Sequence, residues 1–169
     1  MKQLIFLFVG VIIFIIAVGF FTKDLKNSNL ATTTAPKVET REVIVGNVKV
    51  NAEIADDEDE RRIGLGGKES LSQNSGMLFV FPDKSSGVSF WMKDMRFPID
   101  IIWIYGGSVI KIDKNVQPEA GVADQELKHY RAETEINYVL EVNAGLADRA
   151  GWQIGDKLST ASAAGCAII

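Results

Sequence analysis

Cysteine and histidine, the two residue types that most often build metal and nucleophile sites, are nearly missing from this 169-residue chain, which has one of each, Cys166 and His129. A single thiol excludes an intramolecular disulfide and any Cys-based metal cluster, so the core must hold by packing alone. Basic charge is also in short supply. Eighteen Lys and Arg stand against 22 Asp and Glu, a net charge of −4 with pI near 5.1, which argues against a nucleic-acid surface. No Gly-x-Ser-x-Gly elbow nominates a serine to work with His129. Gly67-Lys68-Glu69-Ser70 fails as a phosphate loop, which needs Gly at Arg62 and Ser or Thr at Glu69. The acidic run Asp56–Glu60 lacks the glycine of a calcium loop. The expectation is a protein with no cofactor, no metal and no nucleic-acid partner.

The first clear feature present is apolar. Leu4–Phe21 carries no charge, and as a helix it would span about 27 Å, close to the thickness of a bilayer's hydrocarbon core. The segment is expected to enter a membrane as an uncleaved signal anchor (residues 1–21), although Ala17-Val18-Gly19 offers a passable cleavage site. Thr22–Arg41 lacks apolar periodicity and reads as a flexible linker (22–41). The expected location is the cytoplasmic membrane, single-pass, with the C-terminal domain outside, or secreted if the segment is cleaved.

Residues 42–159 read as one mainly β, β-rich α+β domain of barrel or sandwich type with two short helices, followed by a weakly structured tail at 160–169. Val43–Ile54 alternates about a Gly46-Asn47 turn signal and predicts a hairpin. Asp57 with Glu60 resembles a capping box, and the run to Arg62 predicts a short helix with carboxylates first and arginines last. Strands are expected over Gly76–Phe81, ending at a Pro82-Asp83 turn, and over Val88–Met92. A hairpin on Gly106-Gly107 is expected to join Ile99–Tyr105 to Ser108–Asp113. Asn115–Glu135 reads as a long loop holding His129, and Ile136–Val142 as a strand. Asn143 is placed to cap a helix over Ala144–Ala150 that stops at Gly151, and Gly155-Asp156 turns into a last strand at Leu158.

Taken in order, ERRIGLGGKESL, GMLFVFP, FWMKDMRFPIDIIWI and YVLEVNAGLADRAGWQIGDKL resemble the DUF192 or UPF0127 family of small bacterial and archaeal proteins, from about Val48 to Leu158. The resemblance implies a single β-rich domain and supplies no established activity. This chain has Gly66-Gly67-Lys68 where members often carry Met-Phe-Arg, and Asp94-Met95 where they often carry Asn-Thr.

Six residues are singled out as candidate ligand contacts: Trp91, Lys93, Asp94, Asp100, Glu141 and Asn143. Lys93 and Asp94 leave an apolar strand end, and Asp100 interrupts an apolar run, so a carboxylate facing Lys93 could orient a ligand or act as a base. Glu141 and Asn143 share a strand face with Val139. Phe90, Trp91, Phe97, Trp103 and Tyr105 at strand spacing fit core better than a stacking platform. The expected function is a membrane-tethered accessory or ligand-binding module whose partner is an envelope polymer, a small molecule or a membrane protein. One alternative is a small hydrolase using carboxylates near Trp91–Asp100. Another is a peptide binder, since Ala144–Asp156 resembles the helix and Gly-Asp turn of PDZ domains.

Overall fold

The computed structural model describes residues 39–162 and 165–168. Strands β1 (Thr40–Val45) and β2 (Val48–Ala55) form the expected hairpin, with Gly46 at φ 58° in the turn. Helix α1 (Glu58–Ile63) follows, and then β3 (Ser75–Ser85), β4 (Ser89–Phe90), β5 (Ile99–Tyr105) and β6 (Ser108–Val116). A 3-10 turn at Asp124–Glu126 precedes β7 (Tyr130–Arg131), β8 (Ile136–Asn143), helix α2 (Leu146–Ala150), β9 (Leu158–Ser162) and β10 (Gly165–Ile168).

Eight strands make one sheet in the order β10-β9-β1-β2-β3-β8-β5-β6, and β4 pairs with β7 in a small second sheet. The β2–β3 pair is parallel, which demands a crossover, and α1 with the loop after it supplies one. The capping box is present: Asp57 accepts from Glu60 N at 2.8 Å, while Glu60 accepts from the backbone of Asp57. The sheet curls into a half-barrel. Its far edge meets the chain entering β9, where Leu158 N donates to Gly107 O at 2.9 Å and Val109 N donates to Asp156 O at 2.8 Å.

Both faces of the sheet are covered, so central strands read as continuous apolar runs instead of alternating ones. In β5, Ile99 through Ile104 are all buried, the charged Asp100 included. One face carries Val50, Ala52, Leu78, Ile102, Leu140 and Val142, and packs on Leu146 and Ala147 of α2 and on Trp152. The indole of Trp152 stays satisfied in this core by donating to Val45 O at 2.9 Å. The opposite face carries Met77, Phe79, Ile101, Trp103 and Val139 beneath Leu65, Met92 and Met95. There Phe90 stands edge-on to both Phe79 and Trp103, at centroid distances of 4.8 and 5.5 Å. Gly76 marks the tightest point of the sheet. A Cβ there would lie 2.4 Å from Glu141 O.

Several expectations are corrected. Strand β3 does not stop at Pro82 but runs to Ser85, because its ladder with β8 is interrupted between Val80 and Ser85 and an irregularity accommodates a residue lacking N–H. The strand expected over Val88–Met92 shrinks to Ser89–Phe90, whose partner is the equally short β7. The tail, expected to be weakly structured, forms an antiparallel pair of β9 and β10. Helix α2 starts at Leu146, two residues later than expected, behind Gly145 in the left-handed region. Asn143 does not cap it. The Leu4–Phe21 anchor and most of the linker lie outside the described residues, and among the described residues no helix is long and apolar enough to cross a membrane.

Candidate functional site

Period-two alternation decides where each carboxylate goes. Asp100 pairs with Val142 across the β5–β8 ladder, and Glu141 pairs with Ile101 on one side and Met77 on the other. Cross-strand partners share a face, so Asp100 and Glu141 project from opposite sides of the sheet. They do not form one constellation.

Asp100, fully buried, is structural. Its Oδ2 accepts from Ala147 N at 2.9 Å, doing for α2 what an N-cap side chain would do, and its Oδ1 accepts from Asn115 N at 2.8 Å. Asn115 sits at φ 52°, so the same carboxylate also holds a left-handed turn at the end of β6. Lys93 does not face Asp100. It forms an exposed ion pair with Asp124 in the long loop, and that pairing raises its pKa above the usual lysine value. Asn143 donates from Nδ2 to Ser72 O at 2.9 Å and to Leu71 O at 3.2 Å, fastening the segment that leads into β3.

Glu141 is different. It lies on the floor of a cleft of about 1100 Å³, 5% exposed. The cleft is walled by α1 and the Gly64–Gly67 loop, by residues 88–96 and by residues 119–127. Leu65, Phe79, Phe90, Met92 and Met95 make its lower walls apolar, with Trp91 at 43% exposure towards the mouth. The Glu141 carboxyl hydrogen-bonds none of the described residues, and its oxygens are not sealed from the cleft. Burial alone pushes its pKa up to about 8, so at neutral pH the group is mainly protonated. An unpartnered, perturbed carboxyl at the bottom of a cavity of this size is the arrangement from which binding sites are built. A smaller cavity, about 450 Å³ along residues 112–119, contains no such group.

The mouth is held by local contacts between its walls. Gly67 N donates to Asp94 O at 3.0 Å, and Lys93 and Asp124 bridge the two facing loops. Asp94 is exposed at φ 57°, the left-handed conformation of a tight turn closed by Met95 N to Met92 O at 3.2 Å. The structure thus gathers Trp91, Lys93, Asp94 and Glu141 around one cleft and leaves Asp100 and Asn143 outside its lining. Sequence reasoning passed over Leu65 and Phe79 and assigned Phe90 to the core, because apolar residues look alike whether they line a cleft or fill a core. It also passed over Ser89, which lines the cleft and shares a 3.1 Å hydrogen bond with His129 Nδ1, while Trp91 stands edge-on to the His129 ring.

Comparison with known proteins places this arrangement. A protein from Sinorhizobium meliloti 1021 solved by crystallography and named as a candidate transcription regulator is 27% identical. It superposes with a TM-score of 0.64 over 73% of this chain and 95% of its own. A crystallised protein of unknown function from Novosphingobium aromaticivorans DSM 12444 is likewise 27% identical, with a TM-score of 0.65 over 74% of this chain and 88% of its own. No curated protein matches the chain. The sequence model of DUF192, described as "Uncharacterized ACR, COG1430", matches residues 41–160, from β1 into β9, and the chain belongs to the DUF192 family.

Proposed function

We propose that this protein is a small-molecule-binding module, tethered at the cell envelope by Leu4–Phe21, whose ligand seats in the cleft above Glu141. The observation that carries the reading is the buried carboxyl itself. A carboxyl largely withdrawn from water and without a protein partner is poorly solvated, and a ligand that supplies a partner recovers part of that cost, which reaches roughly 1–3 kcal/mol when desolvation is complete. The apolar walls give such a ligand a place for its body, and the exposed loops at 91–96 and 119–127 give it a way in.

A hydrolase using paired carboxylates is supported less well, because Asp100 faces the other side of the sheet and Asp94 sits exposed at the rim. The Ser89–His129 hydrogen bond is the one feature on the side of an enzyme. Among the described residues, however, no carboxylate engages the other ring nitrogen of His129. The label on the S. meliloti protein fits ligand sensing better than DNA contact here, given the net charge of −4.

The test is an amide-resolved NMR titration of the full chain in detergent with a mixed library of small polar-headed aromatics and aliphatics. Perturbations clustered on Leu65, Met92, Met95 and Glu141, lost in Glu141→Gln, support the reading. Perturbations confined to other surfaces, or none at millimolar concentrations, would remove it.

A further inference from the structure

The polar groups around the cleft differ in one respect that bears on the chemistry of the ligand. Its cations are already engaged. Arg61 of α1 donates to Asp56 O and Val80 O and lies over the Phe81 ring, and Arg62 pairs with Asp59. In the loop before β5, Lys93 pairs with Asp124 and Arg96 with Glu69. An anionic ligand would have to compete for these groups at the exposed rim. The acidic groups of the wall, Glu58 of α1, Asp94, and Glu119 and Asp124 of the long loop, are largely exposed or already accept hydrogen bonds. Glu141 alone is buried, unpartnered and open to the cleft, whose lining also includes the aromatic residues Phe79, Phe90 and Trp91.

We infer that the cleft takes an organic cation, a protonated amine on an apolar or aromatic body, with the ammonium against the Glu141 carboxylate. The inference rests on the cleft reading above and narrows it to one ligand class. A buried carboxylate is stabilised best by an opposite charge with N–H donors, and aromatic faces add attraction for the same cation. A neutral hydroxyl could bond the protonated carboxyl but would lack the charge that draws a cation to the ring faces.

The consequence is a proton balance. Free Glu141 carries a proton at neutral pH and the amine-bound form does not, so binding releases one proton to solvent. Burial is the cause of the elevated pKa, and loss of the release in Glu141→Gln assigns it to this carboxyl. For a ligand that binds only the ionised form, affinity rises about fivefold between roughly pH 7 and pH 8, provided the amine itself stays protonated.

The experiment titrates the full chain in detergent with benzylamine, benzyl alcohol and benzoate at several pH values, read by the amide signals of Met92, Met95 and Glu141. The expected result is benzylamine binding that tightens about fivefold over that pH interval and is lost in Glu141→Gln, with benzoate excluded. The amide spectrum of the variant verifies its fold, and benzyl alcohol binding to it verifies an intact cleft. Equal, pH-independent binding of benzylamine and benzyl alcohol, or benzylamine binding that survives Glu141→Gln, would overturn the cation assignment while leaving a small-molecule cleft standing. If none of the probes perturbs the cleft residues, both the assignment and the cleft reading fail.

Discussion

Replacing Glu141 by glutamine should make the protein more stable, and increasingly so as pH rises. The carboxyl titrates at 4.5 in an ordinary environment and at about 8 in the folded chain, where burial disfavours its charged form. Below about pH 4.5 it is protonated in folded and unfolded chains alike and imposes no ionisation cost. Between about pH 4.5 and 8 the unfolded chain gives up its proton while the folded chain keeps it. Stability therefore falls by about 1.4 kcal/mol for each pH unit. Above about pH 8 the loss is complete, up to about 5 kcal/mol, an upper bound because water can reach the carboxyl from the cleft. Glutamine has nearly the same shape and does not titrate. Urea unfolding of the wild type and Glu141→Gln from about pH 5 to 9 should give curves that start close together and diverge, the variant gaining the advantage. Parallel curves across the whole range would refute the argument, because they would mean that Glu141 titrates in the folded protein as it does in the unfolded chain. A saturating amine that pairs with Glu141 should pull the two curves back together.

Three further substitutions probe the scaffold. Asp100→Ala removes the acceptor for Ala147 N and Asn115 N, so thermal unfolding should register a loss of about 2–4 kcal/mol, with little effect on ligand contacts on the opposite face. Gly76→Ala drives a methyl into the Glu141 carbonyl oxygen and against Val142 and Val50, and should cost about 2 kcal/mol or more in chemical denaturation while disturbing the cleft floor. Asp94→Gly relieves a left-handed non-glycine residue, and denaturation should show a gain of about 0.5–1 kcal/mol, an outcome that fails if the turn does not persist in solution.

Local signals carried the first part of the fold. The Gly46-Asn47 hairpin, the Asp57–Glu60 capping box, the Gly106-Gly107 turn and the strand at Ile136–Val142 all depend on neighbours within a few residues, and each forms as its residues dictate. Errors began where a distant partner decides the outcome. Nothing near Asn143 reveals that Leu71 and Ser72, far upstream, claim its amide, or that Asp100 will cap α2 from another strand. Pro82 ends a strand in most contexts, yet here it lies within β3 because the adjoining β8 ladder is interrupted alongside it.

The same dependence on distant partners explains why the candidate site was half legible. Two acidic residues in apolar strand runs, Asp100 and Glu141, look equivalent in the sequence, and each could be a site or a strut. What separates them is the register of one ladder. With Ile101 opposite Glu141 and Val142 opposite Asp100, one carboxylate lands beside the backbone amides of α2 and the other beneath the cleft. A slip of one residue in that ladder would place side chains against the wrong faces. On the other side of β8, Gly76 lies opposite Val142 and has no room for a Cβ beside the Glu141 carbonyl oxygen. This is why Gly76→Ala is expected to lower stability and perturb Glu141 together, while Asp100→Ala is expected to lower stability alone.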